Sequence, residues 1–175
     1  MRKPVAVIAL VLLNIRIQAD ESWFEGHWVL DRDATFAAMS DAGERRIQDL
    51  VEDPSTESEI SEQQIRDSMY KAEQSHKKQL VALWDSHGDI ELQIDAGNIS
   101  QKYEQVWSEP VPYSLRPIER GVFEVLSTHP DGAQWRSLVR RTRAGFCKTV
   151  FGPHEDPPDP NSPVFAQECF RRHGA

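Results

Sequence analysis

Apolar and polar residues alternate through most of the chain beyond Gln79, and this period of two constrains the fold more than any other feature. Successive side chains of a strand point to opposite faces, so alternation marks strands with one face in a core. Leu80, Ala82 and Trp84 begin the pattern, and Asp85-Ser86-His87-Gly88-Asp89 supplies a turn. Ile90, Leu92 and Ile94 then alternate with Glu91, Gln93 and Asp95, and Ala96-Gly97-Asn98 turns the chain again. Tyr103, Gln105 and Trp107 predict a third strand, whose pairing Pro110 and Pro112 interrupt. Residues 122–127 and 134–143 predict a hairpin about His129-Pro130-Asp131-Gly132, and 146–151 another strand. After a proline- and acid-rich loop at 153–163, a last strand closes the chain over 164–172.

The part before Gln79 has a different period. A short strand over 23–31 carries Trp28 and Leu30 on one face. Phe36, Met39, Ile47, Leu50 and Val51 then fall on one helical stripe, with Gly43 in the middle allowing one helix or two shorter ones. Asp53-Pro54-Ser55-Thr56 ends that segment, because the residue before a proline is pushed away from helical geometry. Ser61-Glu62-Gln63-Gln64 is a capping box, flanked by Ile60 and Ile65 as a hydrophobic staple, and Ile65, Met69, Ala72 and His76 continue the helix it opens. The expected class is therefore α+β and mostly antiparallel β. Two helices (35–76) follow the first strand, and 79–172 form a curved sheet or barrel.

Residues 1–19 read as a secretory signal peptide. Arg2 and Lys3 precede an apolar run from Val5 to Ile15, and Ile17-Gln18-Ala19 offers a cleavage site before Asp20. The expectation is a single globular domain over 20–175, secreted or periplasmic, with no transmembrane segment after cleavage. The full chain carries −8 at neutral pH, and loss of Arg2, Lys3 and Arg16 takes it to −11. That charge argues against a nucleic-acid partner. The acidity is uneven: residues 20–75 carry a net −10 and residues 76–175 a net −1. Cys147 and Cys169 are the two cysteines, and in an oxidising compartment an even pair is most simply a disulfide.

Residues that carry chemistry are scattered. The six histidines (His27, His76, His87, His129, His154 and His173) show no metal-ligand spacing, and no phosphate loop or nucleophile elbow is present. The Asp85–Asp89 segment and His154-Glu155-Asp156 read as turn residues before they read as ligands. No catalytic, cofactor-binding or metal-ligating residue is assigned. Arg136, Arg140, Arg141, Arg143 and Lys148 form a basic run, read as a dock for the chain's own acidic helices before an anion-binding face. Asn98-Ile99-Ser100 fits the glycosylation acceptor pattern.

At the start of the expected mature chain, Gly26-His27-Trp28 resembles the Gly-x-Trp opening motif of lipocalin-like proteins, the calycin group. The resemblance implies that Trp28 closes one end of a barrel, with Arg171 or Arg172 from the last strand packed across it. It covers about nine residues at the start and a few at the end. The helices depart from the lipocalin pattern, which places the main helix after the eighth strand. The function this suggests is an exported, non-enzymatic domain that binds a small apolar ligand or an envelope partner. Trp84, Ile90, Leu92, Tyr103, Trp107, Phe123 and Val125 are candidates to line its cavity or fill a solid core. The alternatives are an inhibitor or accessory protein that takes a basic partner through its acidic helices, and a small hydrolase or isomerase on a helix-capped curved sheet.

Overall fold

Trp28 and Leu30 are buried while His27 and Val29 are less so, the mark of a strand with one face in a core. That strand is β1 (Gly26–Leu30). It passes through Asp31, whose carboxylate caps the next helix by accepting from the Ala34 N–H at 2.9 Å. The computed structural model describes residues 22–52, 61–151 and 167–174. The leader, the Asp53-Pro54-Ser55-Thr56 stop, Ile60, the whole 153–163 loop with His154-Glu155-Asp156, and 164–166 of the expected last strand lie outside the described residues.

Helix α1 (Arg32–Glu52) runs unbroken through Gly43, which is buried in its packed face with Thr35, Met39, Ala42 and Ile47. Helix α2 (Glu62–His87) opens on the expected capping box. The Ser61 hydroxyl accepts from the Gln64 N–H at 3.3 Å, and the Gln64 side chain accepts from the Ser61 N–H at 2.8 Å. The helices pack on each other through Ser40–Glu73 at 2.7 Å and Glu44–Arg66 at 3.0 Å.

Eight further strands follow: β2 (Glu91–Asp95), β3 (Asn98–Tyr103), β4 (Val106–Trp107), β5 (Val111–Glu119), β6 (Val122–Thr128), β7 (Gln134–Arg141), β8 (Gly145–Phe151) and β9 (Glu168–Arg172). They run β2-β1-β9-β8-β7-β6-β5-β3, every pairing among the described residues is antiparallel, and β2 also pairs with β3. The sheet is thus a closed barrel of eight strands with β4 as an appendage on β3. Closure removes the free edges that an open sheet would expose. The fold is α+β, with both helices inserted after the first strand. Cys147 and Cys169 face each other across β8 and β9 and are joined by a disulfide.

Three expectations are corrected. Trp84 belongs to α2, and Leu80, Ala82 and Trp84 are helical. Leu80 and Trp84 extend the stripe of Ile65, Met69, Ala72 and His76, while Ala82 is exposed. No glycine or proline stands between Ser61 and Gly88 to stop the helix, so the Asp85–Asp89 segment is its end and not a hairpin turn. Second, Gln105 is not on a strand. Glu104 and Gln105 both have positive φ, 51° and 65°, and turn β3 directly into β4. Third, Pro110 stands in the gap between β4 and β5 as expected, but Pro112 does not interrupt pairing: it lies within β5, as does Pro117. Its link to β3 is short, at Asn98–Pro112 and Ile99–Val111, and its register on β6 shifts between Pro117 and Glu119. A proline is tolerated where the ladder is already weak.

Candidate functional site

Inside the barrel lies a cavity of about 570 Å3, lined by Phe24 and by inward residues of β2, β3 and β5 to β8. One end is shut. Gly26 has a φ of +133°, and a Cβ there would stand 2.9 Å from Arg172 Nη1, so glycine lets the guanidinium approach. Arg172 then lies 4.8 Å over the Trp28 ring and donates from Nη2 to the carbonyls of Trp23 (3.2 Å) and Glu25 (3.1 Å). Trp28 Nε1 donates to the Phe24 carbonyl at 2.9 Å. Trp23 and Phe24 are thereby held across the barrel, with Trp23 against Phe123 at 5.3 Å and Phe24 against Phe146 at 5.1 Å. Of the two arginines proposed for this role, Arg172 takes it. Arg171 pairs with Val29 and Gly145 in the ladder.

The opposite end holds the β6–β7 turn, where His129 and Pro130 reach the cavity, and the exposed Tyr103, Trp135 and Val150. Four strands repeat one order from the closed end to the mouth. On β3 the lining residues are Ile99, Gln101 and Tyr103; on β7, Val139, Ser137 and Trp135; on β8, Phe146, Lys148 and Val150. On β6 they are Val125 and Ser127, with His129 just beyond. The floor is apolar, the middle polar, and the rim aromatic or aliphatic.

Tyr103 lines the cavity, as do Leu92 and Val125. Phe123 is buried at the closed end against Trp23. Trp107 stands on the outer face, 5.8 Å from the His27 ring. Trp84 is buried beneath the helices, 5.5 Å from Phe36, with the Arg32 guanidinium 5.3 Å over its ring. Arg32 also binds Asp85 (3.0 Å) and Asp89 (2.8 Å), which gives the former turn residues a structural role. Lys148 was read as part of the basic run, yet its two-residue spacing from Phe146 already placed it on the inward face. Two residues of the run have partners on neighbouring strands. Arg136 takes Glu124 at 2.6 Å, and Lys148 takes Glu168 at 3.2 Å. Asn98 is exposed at the start of β3.

Two carboxylates are held below their ordinary range, and neither lines the cavity. Glu91, on the outer face, is lowered first by the Lys102 ammonium at 2.7 Å and then by His27 at 2.6 Å, against the opposing effect of burial. For Glu73, burial is the largest influence and acts upward, but hydrogen bonds from Lys77 and Ser40 prevail and the net direction is down. Among the described residues no three His, Cys, Asp or Glu side chains gather as a metal site, and no helix is long and apolar enough to cross a membrane.

No protein-family model, curated protein or solved structure matches this chain.

Proposed function

We propose that the protein is an exported, lipocalin-like carrier that holds a small, mainly apolar molecule inside its barrel. The observation that carries this reading is the cavity of about 570 Å3, which among the described residues is stoppered at one end and reaches toward the other. Sites for drug-sized ligands commonly have volumes of about 300–1,000 Å3, with apolar walls and a few placed polar groups. The Trp28–Arg172 closure supports the lipocalin-like part, since it is the contact that the Gly-x-Trp resemblance implies. Export is supported by the leader pattern and by the Cys147–Cys169 bridge, a bond that persists in oxidising compartments.

The test is titration with a neutral apolar fluorophore, N-phenyl-1-naphthylamine. The carrier reading expects saturable enhancement at one site per chain, abolished by Val125→Trp, which fills the floor, in a protein that keeps its far-ultraviolet circular dichroism. Enhancement that survives Val125→Trp, or none in the wild type, argues against an interior site.

A further inference from the structure

Among the described residues, the polar middle of the cavity contains one cation, and its surroundings define what the cavity selects. Lys148 points inward between Phe146 and Val150 on β8, and its side chain is 15% exposed. Its Nζ lies 3.2 Å from Glu168 Oε2 and 5.2 Å from the Phe170 ring centroid. An ammonium has three donors, and the single Glu168 contact uses one of them. Glu168 itself, at 31% exposed, is the better hydrated partner and is not among the cavity-lining residues. Among the described residues the carboxylate that does line the cavity, Glu109, is exposed at the rim, where water and salt screen it. Gln101, Ser127 and Ser137 stand at the same step of their strands as Lys148 and add amide and hydroxyl donors.

We infer that the cavity takes a monoanionic amphiphile, in its simplest form an alkyl or aryl carboxylate, with the carboxylate on Lys148. This rests on the carrier reading and sharpens it. A carboxylate in a water-poor cavity loses hydration, and a charge-assisted hydrogen bond from an ammonium offsets that loss. The size follows from strand geometry. Inward positions two residues apart are roughly 7 Å apart along a strand, so the apolar floor at Phe146 lies one such step below Lys148. The apolar part beneath the head is therefore short, which favours medium-chain or aryl acids over long-chain lipids.

The experiment is competition against bound N-phenyl-1-naphthylamine by octanoate and by 1-octanol, which share a chain and differ in the head. Octanoate is expected to lose at least about tenfold in displacing power, relative to octanol, when Lys148→Met/Glu168→Gln replaces the wild type. That is the loss of one charge-assisted hydrogen bond. Lys148→Arg is expected to keep the octanoate preference. In the wild type, octanoate is expected to fall to octanol's level as pH drops through the ligand's own carboxyl pKa, a reading that needs no variant. An octanoate-to-octanol ratio unchanged by the double substitution, or by ligand protonation, overturns the inference while leaving the carrier reading intact. If the fluorophore and both octyl compounds all fail to bind, the carrier reading itself fails.

Discussion

Gly26 sits where two demands coincide: a backbone at φ +133° and a guanidinium where a Cβ would be. Gly26→Ala should cost roughly 1–3 kcal/mol through backbone strain alone. Gly145 is under a harder constraint, because a Cβ there would stand 1.9 Å from the Phe170 carbonyl oxygen of the neighbouring strand. Backbone cannot swing away as a side chain can, so Gly145→Ala should lower the urea midpoint more than Gly26→Ala; the reverse order would contradict this placement. Trp84 offers a second comparison. Its ring is 1% exposed, and its Nε1 has no hydrogen-bond partner among the described residues. Trp84→Phe gives up an unsatisfied donor with part of the ring and should cost far less than Trp84→Ala, expected at about 3–5 kcal/mol. At this scale the Trp28–Arg172 pair was legible because a short motif and a terminal arginine stood at the chain's two ends. Lys148 was misread because its charge matched its neighbours in sequence, while its contacts follow the two-residue period.

Elements were legible where a local signal had no rival. The capping box at Ser61 opens α2 as expected, and Ser61→Ala should cost about 1 kcal/mol in urea unfolding. The helix end was misplaced because Leu80, Ala82 and Trp84 satisfy a period of two over three residues, while Leu80 and Trp84 also satisfy the helical period. About five turns already under way decide such a contest, since adding a residue to an existing helix is easier than nucleating a strand. Strand β5 was hidden by Pro112 and Pro117, although Tyr113 and Leu115 alternate inward between them and pack on the core. The β8–β9 pair was legible through its cysteines. Their bond closes a separation of 22 residues, so Cys147→Ser/Cys169→Ser should lose about 3 kcal/mol on the chain-entropy model. Equal thermal unfolding of the reduced and oxidised forms would contradict that.

Taken whole, the described residues form a barrel stoppered at one end by Trp28 and Arg172, with a cavity that runs toward the other. Segregated helix and strand periods made α+β legible. The strand periods fitted a curved sheet as well as a barrel, and only the Gly-x-Trp resemblance pointed to closure, because it depends on β9 meeting β1 across more than a hundred intervening residues. The acid response belongs to this scale too. Glu91 ties β2 to β1 through His27 and to β3 through Lys102, and Glu73 ties α2 to α1 through Ser40. Both have folded pKa values below the unfolded value of about 4.3. Their contribution is therefore present above that value and lost as pH falls through the folded values. Thermal stability should hold from neutral pH to about 5 and drop below about 4, and Glu91→Gln should flatten that drop while lowering Tm at neutral pH. An acid limb unchanged in Glu91→Gln would remove Glu91 from the account. The interior site has its own direct test, which is the amide spectrum of the 15N-labelled protein titrated with 1-octanol. The barrel reading predicts saturable shifts centred on Ile99, Val125, Val139 and Phe146, with α1 and the exposed face of α2 little moved. Shifts confined to the helices or the outer face, or no saturable shift at all, would contradict it.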